Sequence, residues 1–267
     1  MTKLDRLREI IGRYSSAVIA FSGGVDSTLL ARIAGEVLAD RVLLVTAHSS
    51  TYPERERDEA RALAEKLGLK HEVIVSEETD IPEFNDNPPD RCYFCKRELF
   101  SRITSLAARR EFDAVFDGSN HDDVACDYRP GTKALEELNV ISPLKEAGLG
   151  KDEIREISRN LGLPTADKPA YACLASRFPY GEKITIDKLN RVGRAEEALR
   201  ALGFTQLRVR SHGNCARVEF IASEIERAWQ EREKIVAACA NAGFTFVAID
   251  AKGYRMGAMN EALDDVS

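Results

Sequence analysis

Two short strings in this 267-residue sequence hold the residue types that chemistry needs. The first is Ser22-Gly-Gly-Val-Asp-Ser27, set where a β-branched apolar run, Ala17–Phe21, gives way to an apolar helical pattern over Thr28–Leu38. Adjacent glycines let backbone N–H groups converge on an anion, a helix N-terminus adds partial positive charge, and Ser22 and Ser27 add hydroxyl donors. No Gly-Lys-Ser/Thr follows, which excludes the loop that grips a γ-phosphate, and there is no Gly-x-Gly-x-x-Gly dinucleotide fingerprint. The second string is Cys92-Tyr-Phe-Cys95, which opens a helix after Asn87-Pro-Pro-Asp90. A helix start favours thiolates, the species that bind metal or attack carbon. Cys173 stands apart, in Pro169-Ala-Tyr-Ala-Cys-Leu-Ala-Ser-Arg177. Structural zinc usually wants a second cysteine pair, which is missing here. Two thiols plus one suit a cubic iron–sulfur cluster with one iron left open, and the plainer alternative is buried helix-start thiols. Cys126, Cys215 and Cys239 receive no role.

The elements that must position these residues follow a regular alternation. Apolar runs at 17–21, 42–46, 72–75, 114–116 and 140–144 are separated by helical patterns at 28–38, 54–67 and 92–109, and a last helix, Lys151–Leu161, stops at Gly162 with Pro164 beyond. Strands spaced by helices read as an α/β fold, a parallel sheet with helices on both faces. Character changes after Pro164. An irregular stretch leads to a helix at 187–202, short strands at 207–210 and 217–221 around a turn at Ser211–Asn214, a helix at 222–242 and a last strand at 244–249. The expected division is therefore 1–165, a cysteine-bearing linker 166–183, and a small C-terminal α+β domain 184–267. With 38 basic and 44 acidic side chains the formal net charge is −6, which disfavours nucleic acid held by bulk electrostatics. No apolar run has the ~20 residues of a membrane span, and six cysteines without an export signal suggest a reducing, cytoplasmic setting.

The glycine string resembles the pyrophosphate loop of the N-type ATP pyrophosphatases, the PP-loop (adenine nucleotide alpha-hydrolase-like) superfamily. That resemblance implies ATP cleaved between its α- and β-phosphates while a substrate oxygen is adenylated. Gly118-Ser-Asn120, Ile141-Ser-Pro-Leu144 and the Lys151–Arg155 string are similar to the same superfamily. Ligands of open parallel sheets sit at the carboxyl ends of strands, so Ser22, Gly23, Gly24, Asp26, Ser27, Ala47, Ser49, Gly118 and Asn120 are expected around one ATP. Asp26, with Asp122 and Asp123 as weaker candidates, is the expected carboxylate for Mg2+. For Asp122 and Asp123 helix capping is at least an equal reading.

Four further strings narrow the resemblance: Asp90–Lys96, Gly118–Asp123 with Asp127–Gly131, Ala172–Arg177, and Gly253–Gly257. Together they resemble the LarE family, ATP-dependent sulfurtransferases of nickel-pincer nucleotide synthesis, over essentially the whole chain. The resemblance implies a small mononucleotide substrate, a pyridinium dicarboxylate converted to a thiocarboxylate, and a homo-oligomer with a hexamer as the suggested size. It implies sulfur delivery by a 4Fe-4S cluster on Cys92, Cys95 and Cys173, or sacrificially from Cys173. Arg208 and Arg210 alternate on one strand and, with Arg255 and Ser176, are the expected contacts to the substrate phosphate and its surroundings. Arg177 is expected, with Ser176, to orient the acyl group. The alternatives are a PP-loop tRNA thiolation enzyme, which wants a basic RNA-tracking surface, an amide-forming ATP pyrophosphatase, which needs no paired cysteines, and a non-catalytic binding module.

Overall fold

The computed structural model describes residues 1–124, 130–169, 172–255 and 258. Cys126, Asp127–Arg129, Ala170, Tyr171, Met256 and Gly257, which the motifs above include, lie outside the described residues. The chain divides into two compact units, one of Met1–Phe84 with Pro89–Tyr171 and a second of Asn85–Pro88 with Ala172–Ser267.

In chain order the first unit carries α1 (Lys3–Ile11), β1 (Ala17–Ala20), α2 (Val25–Leu38), β2 (Val42–His48), α3 (Glu54–Leu67), β3 (Lys70–Val75), α4 (Pro82–Asn85, whose last residue belongs to the second unit), α5 (Arg91–Arg109), β4 (Ala114–Phe116), α6 (Pro130–Glu137), α7 (Pro143–Glu146) and α8 (Lys151–Asn160). Its sheet has the order β3-β2-β1-β4, and every pairing is parallel. Successive strand residues point to opposite faces, and both faces are covered. Ala17, Ile19, Val42 and Leu44 pack into a buried cluster with Leu7, Leu30, Ile33 and Ile154 of the flanking helices. Val18, Leu43, Val45 and Val115 pack on the other side against Phe100, Ile103 and Leu106 of α5. Each such buried aliphatic side chain contributes about 1.5–3 kcal/mol relative to exposure. The run Val140–Leu144 makes a single parallel bridge, Ile141 with Phe116. Pro143 has no N–H to extend a ladder and instead opens α7.

The second unit carries α9 (Ile186–Ala201), β5 (Leu207–His212), β6 (Cys215–Phe220), α10 (Ile225–Gln230), α11 (Arg232–Ala242) and β7 (Phe246–Ile249), preceded by a 3₁₀ turn at Leu174–Arg177. Its sheet is mixed: β5 and β6 are an antiparallel hairpin, and β7 joins β6 in parallel. The hairpin strands run to His212 and Cys215, which leaves Gly213-Asn214 as a two-residue turn with Gly213 at φ 60°. The helix expected over 222–242 is divided, because the backbone leaves helical geometry at Glu231, at φ −95° and ψ 15°. Among the described residues no helix is long and apolar enough to cross a membrane.

Candidate active site

β1 ends at Ala20, and the chain turns through Ser22-Gly23-Gly24 into α2. Gly23 adopts φ +66°, and a Cβ there would meet the Ala60 Cα of α3 at 3.1 Å, so both backbone and space demand glycine. Gly24 is the N-cap of α2 and offers no capping side chain, so the first-turn N–H groups face outward for an external acceptor. The Ser22 and Ser27 hydroxyls lie 3.2 Å apart across the turn. A Cβ on Gly118, just past β4, would meet the Ser27 nitrogen at 3.3 Å, so this strand end closes directly on the start of α2.

Two cavities adjoin the turn and share Ser22, Tyr52 and Glu56. One, about 130 Å³, is mainly apolar, lined by Phe21, Val45, Ala47, Leu99 and Ile103 beside Thr46, His48 and Ser49. The other, about 160 Å³, is lined by Gly24, Val25, Asp26, Lys151, Arg155 and Lys168. An apolar slot beside a cationic, glycine-floored one suits a base and its phosphates. The Lys168 ammonium donates to the Gly23 carbonyl at 3.3 Å and pairs with Glu56 and Glu59 at 3.1 and 2.9 Å. Arg155 holds the Ala166 and Lys168 carbonyls at 2.5 and 3.0 Å. Lys151 and Arg155 were visible in the sequence only as part of a string. Lys168, Tyr52 and Glu56 carried no signal there, because they reach the turn from a loop and from the start of α3. Another cavity, about 410 Å³ beside Lys96, Ser119 and Ser142, shares no lining residue with these two.

Asp26 accepts from Lys151 at 2.5 Å and from the Asn120 amide at 3.3 Å. Asp122 and Asp123 instead cap backbone: Asp122 accepts from the Lys151 N–H at 2.6 Å and Asp123 from the Asn120 N–H at 2.9 Å. Magnesium is commonly held by one or two carboxylates plus substrate phosphates, so Asp26 is the fitting residue and the capping pair is not. Ser49 is buried, and its hydroxyl pairs with Thr51 at 2.8 Å rather than facing the slot alone. Burial pushes the Glu78 carboxyl upward, opposed by hydrogen bonds from Ser49 and Thr51. Partial burial, and then the nearby Arg61, lower the pKa of the half-buried His71; its Nε2 lies 2.8 Å from the Thr46 hydroxyl, which donates to the Phe21 carbonyl and steadies the strand end before the turn.

Cys92 and Cys95 occupy the first turn of α5, three residues apart on one face. Cys92 is exposed, and the half-buried Cys95 thiol donates to Glu78 at 3.8 Å. Cys173, half-buried, caps the 3₁₀ turn at Leu174–Arg177 in the second unit. Thiols of this type and number suit an iron–sulfur cluster, yet no group of three or more His, Cys, Asp or Glu among the described residues is arranged to hold a metal ion. Cys239 is buried, which pushes its thiol up to about 11 and keeps it protonated.

The arginines of the second unit are more deeply placed than a strand-face pattern suggests. Arg208 is buried, with its guanidinium 5.0 Å from the Tyr254 ring centre. Arg210 forks onto Glu219 at 3.0 and 2.9 Å and donates to the Ser176 carbonyl at 2.6 Å. Arg255, half-buried, donates to the Gly253 carbonyl at 3.0 Å and lies 3.9 Å from Asp250. Arg177 is fully buried and faces Glu196, so it does not meet an acyl group.

A parallel sheet covered on both faces, with an uncapped glycine turn at the carboxyl end of an interior strand, defines a nucleotide-binding domain of the PP-loop type. The family model described as asparagine synthase matches residues 16–216. A protein of Synechocystis sp., uncharacterized, is 45% identical over 264 residues, 98% of each chain. The pyridinium-3,5-bisthiocarboxylic acid mononucleotide synthase of Lactiplantibacillus plantarum is 37% identical over 263 residues, 98% of this chain and 95% of that one. An uncharacterized Methanocaldococcus jannaschii protein is 33% identical over 89% of this chain and 90% of its own. The chain belongs to the LarE family of ATP-dependent sulfurtransferases, within the PP-loop class to which the asparagine synthase model corresponds.

Proposed function

We propose that the protein uses ATP to activate a carboxylate of a pyridinium-dicarboxylate mononucleotide and replaces oxygen by sulfur, in nickel-pincer cofactor synthesis. The identity of 37% over 98% of the chain to the Lactiplantibacillus synthase carries this reading. The substrate carboxylate oxygen attacks the α-phosphorus of ATP, pyrophosphate leaves, and an acyl-adenylate forms. Ser22, Gly23, Gly24 and Ser27 receive the departing pyrophosphate through backbone and hydroxyl donors, with Lys151, Arg155 and Lys168 supplying positive charge. Ala47 and Ser49 border the base, Gly118 and Asn120 brace Asp26, and Asp26 would hold the Mg2+ that travels with ATP.

Cys173 then attacks the acyl carbon as thiolate and AMP leaves, so one hard substitution is split into two easier ones. Removal of the Cys173 α-proton breaks the Cβ–S bond, which releases the thiocarboxylate and leaves dehydroalanine. A 4Fe-4S cluster would be held by Cys92, Cys95 and Cys173 and would supply transferable sulfide; the presence of all three cysteines in the sequence supports this second source. Arg208 and Arg255 serve the substrate phosphate, Arg210 adds charge while its fork stays on Glu219, and Ser176, whose carbonyl accepts from Arg210, lies beside them. The 1–165 portion is the activating domain, 166–183 the cysteine-bearing linker, and 184–267 the substrate and oligomerisation domain of a cytoplasmic homo-oligomer. Anaerobic protein reconstituted with iron and sulfide, then given ATP and the mononucleotide, is the test. Pyrophosphate release together with the mass gain of a sulfur-for-oxygen exchange supports the function; pyrophosphate without sulfur in the product refutes it. Turnover beyond one product per chain identifies the cluster, and a single turnover with dehydroalanine at Cys173 identifies the sacrificial route.

A further inference from the structure

The Cys173 segment is held by a buried ion pair whose geometry exceeds what packing needs. Arg177 and Glu196 are both fully buried. The Arg177 Nε and Nη2 donate to the two Glu196 oxygens at 2.8 and 3.0 Å. Its remaining amino group, Nη1, donates to the Ala172 carbonyl at 2.9 Å, the Cys173 carbonyl at 3.1 Å and the Ser176 hydroxyl at 2.8 Å. Behind the pair stand regular elements: Glu196 belongs to α9 and also accepts from the Val209 N–H of β5 and from Arg200, each at 3.0 Å. Burial alone would push Glu196 upward; Arg177 above all, then Arg200 and Arg208, hold it down to about 2. The Cys173 carbonyl takes a second bond, from the Ser176 N–H at 3.0 Å. The pair is costly to desolvate, and an apolar pair of equal volume commonly gives equal or greater stability. A leucine pair, however, offers no donor to three acceptors of one short segment.

We infer that Arg177 and Glu196 are positioning residues for Cys173, fixing its carbonyl and that of Ala172 so that the thiol leaves the backbone in one direction. The inference rests on the reading of Cys173 as the sulfur-carrying residue. Sulfur attack on an acyl carbon depends on near-attack geometry, and a displacement of about 1 Å costs about a hundredfold in rate. Holding the carbonyl from α9 and β5 transfers the rigidity of those elements to a segment with only one 3₁₀ turn of its own.

The test uses the full chain, with Arg177→Lys and the double variant Arg177→Met/Glu196→Leu, which removes the charges and keeps the volume. Peptide-resolved iodoacetamide alkylation reads the Cys173 thiol, with Cys92 as an internal reference, and hydrogen exchange reads amides 172–176. Sulfur transfer is followed as kcat and the KM for ATP separately. The expected result is a folded double variant with Cys173 alkylation altered by roughly tenfold or more and kcat down about a hundredfold, while Cys92 alkylation and the KM for ATP stay at wild-type values. Arg177→Lys shows the same direction, because an ammonium cannot hold the fork and the three acceptors together. Wild-type alkylation and exchange at 172–176 in a folded double variant, or in Arg177→Lys where the double variant fails to fold, overturn the inference. Retained sulfur transfer in Cys173→Ala sinks the role of Cys173 instead, and the alkylation and exchange readouts still judge the positioning by themselves.

Discussion

The two units handle charge in opposite ways. Around the glycine turn the cations sit at a cavity wall, with Lys168 and Lys151 side chains 20% and 33% exposed and their partners within reach of solvent. In the second unit the pairs are Arg177 with Glu196 and Arg210 with Glu219; Arg177, Glu196 and Glu219 are fully buried and Arg210 nearly so. A cavity-wall cation can exchange its partner for an incoming phosphate at small cost. A fully desolvated pair cannot, because separating it strands a charge. The first arrangement therefore suits binding and release, and the second suits holding a backbone still.

That contrast can be broken in order of expected effect. Cys173→Ala lowers sulfur incorporation by about a thousandfold or more, measured as thiocarboxylate product, while pyrophosphate release persists. Glu219→Ala strands Arg210 and costs about 3–5 kcal/mol in urea unfolding. Lys168→Ala leaves that unfolding within about 1 kcal/mol of wild type but raises the apparent KM for ATP about tenfold, the value of one charge-assisted contact. Gly23→Ala and Gly68→Ala both force a left-handed residue, a strain of about 1–2 kcal/mol each. Only Gly23, 3.1 Å from the Ala60 backbone, also disturbs the turn, so only that variant raises the KM for ATP, whereas a Cβ on Gly68 meets nothing within 4 Å. Acid unfolding reads the buried pair separately. Glu196 is held at about 2 against an ordinary value of 4.5, so its contribution is complete above about 4.5 and lost as the pH falls toward 2. In Glu196→Gln the decline of stability across that window is correspondingly shallower.

The sheet of the first unit could be read from residue patterns because β1 and β2 are continuous apolar runs bounded by breakers. The glycine turn was equally readable, since a local string encodes it. Val140–Leu144 misleads for the opposite reason: its apolar content is right, but Pro143 cannot extend a ladder. Of the cations over the turn, Lys151 and Arg155 stand in a recognisable string, whereas Lys168 is invisible because it meets the turn only after folding and nothing local marks a lysine as facing a cavity. Arg177 shows the reverse error. Its nearness in sequence to Cys173 suggested contact with substrate, whereas Glu196, nineteen residues on, claims its fork.

Asn87 is fully buried at φ 52°, its amide donating to the Phe178 and Pro179 carbonyls at 3.3 and 2.7 Å, while its own carbonyl accepts from the Gly181 N–H at 2.9 Å. Asn87 and Phe178 are 91 residues apart. At ribosomal rates the Asn87 side of this contact waits roughly 5–18 s for the Phe178 side to be synthesised. The first unit, whose chain runs on both sides of Asn85–Pro88, can close meanwhile with those four residues looped out. The second unit completes only when the chain returns to them. A fragment beginning at residue 172 would therefore lack an internal part of its own domain, and the order of assembly is written into where the chain is threaded.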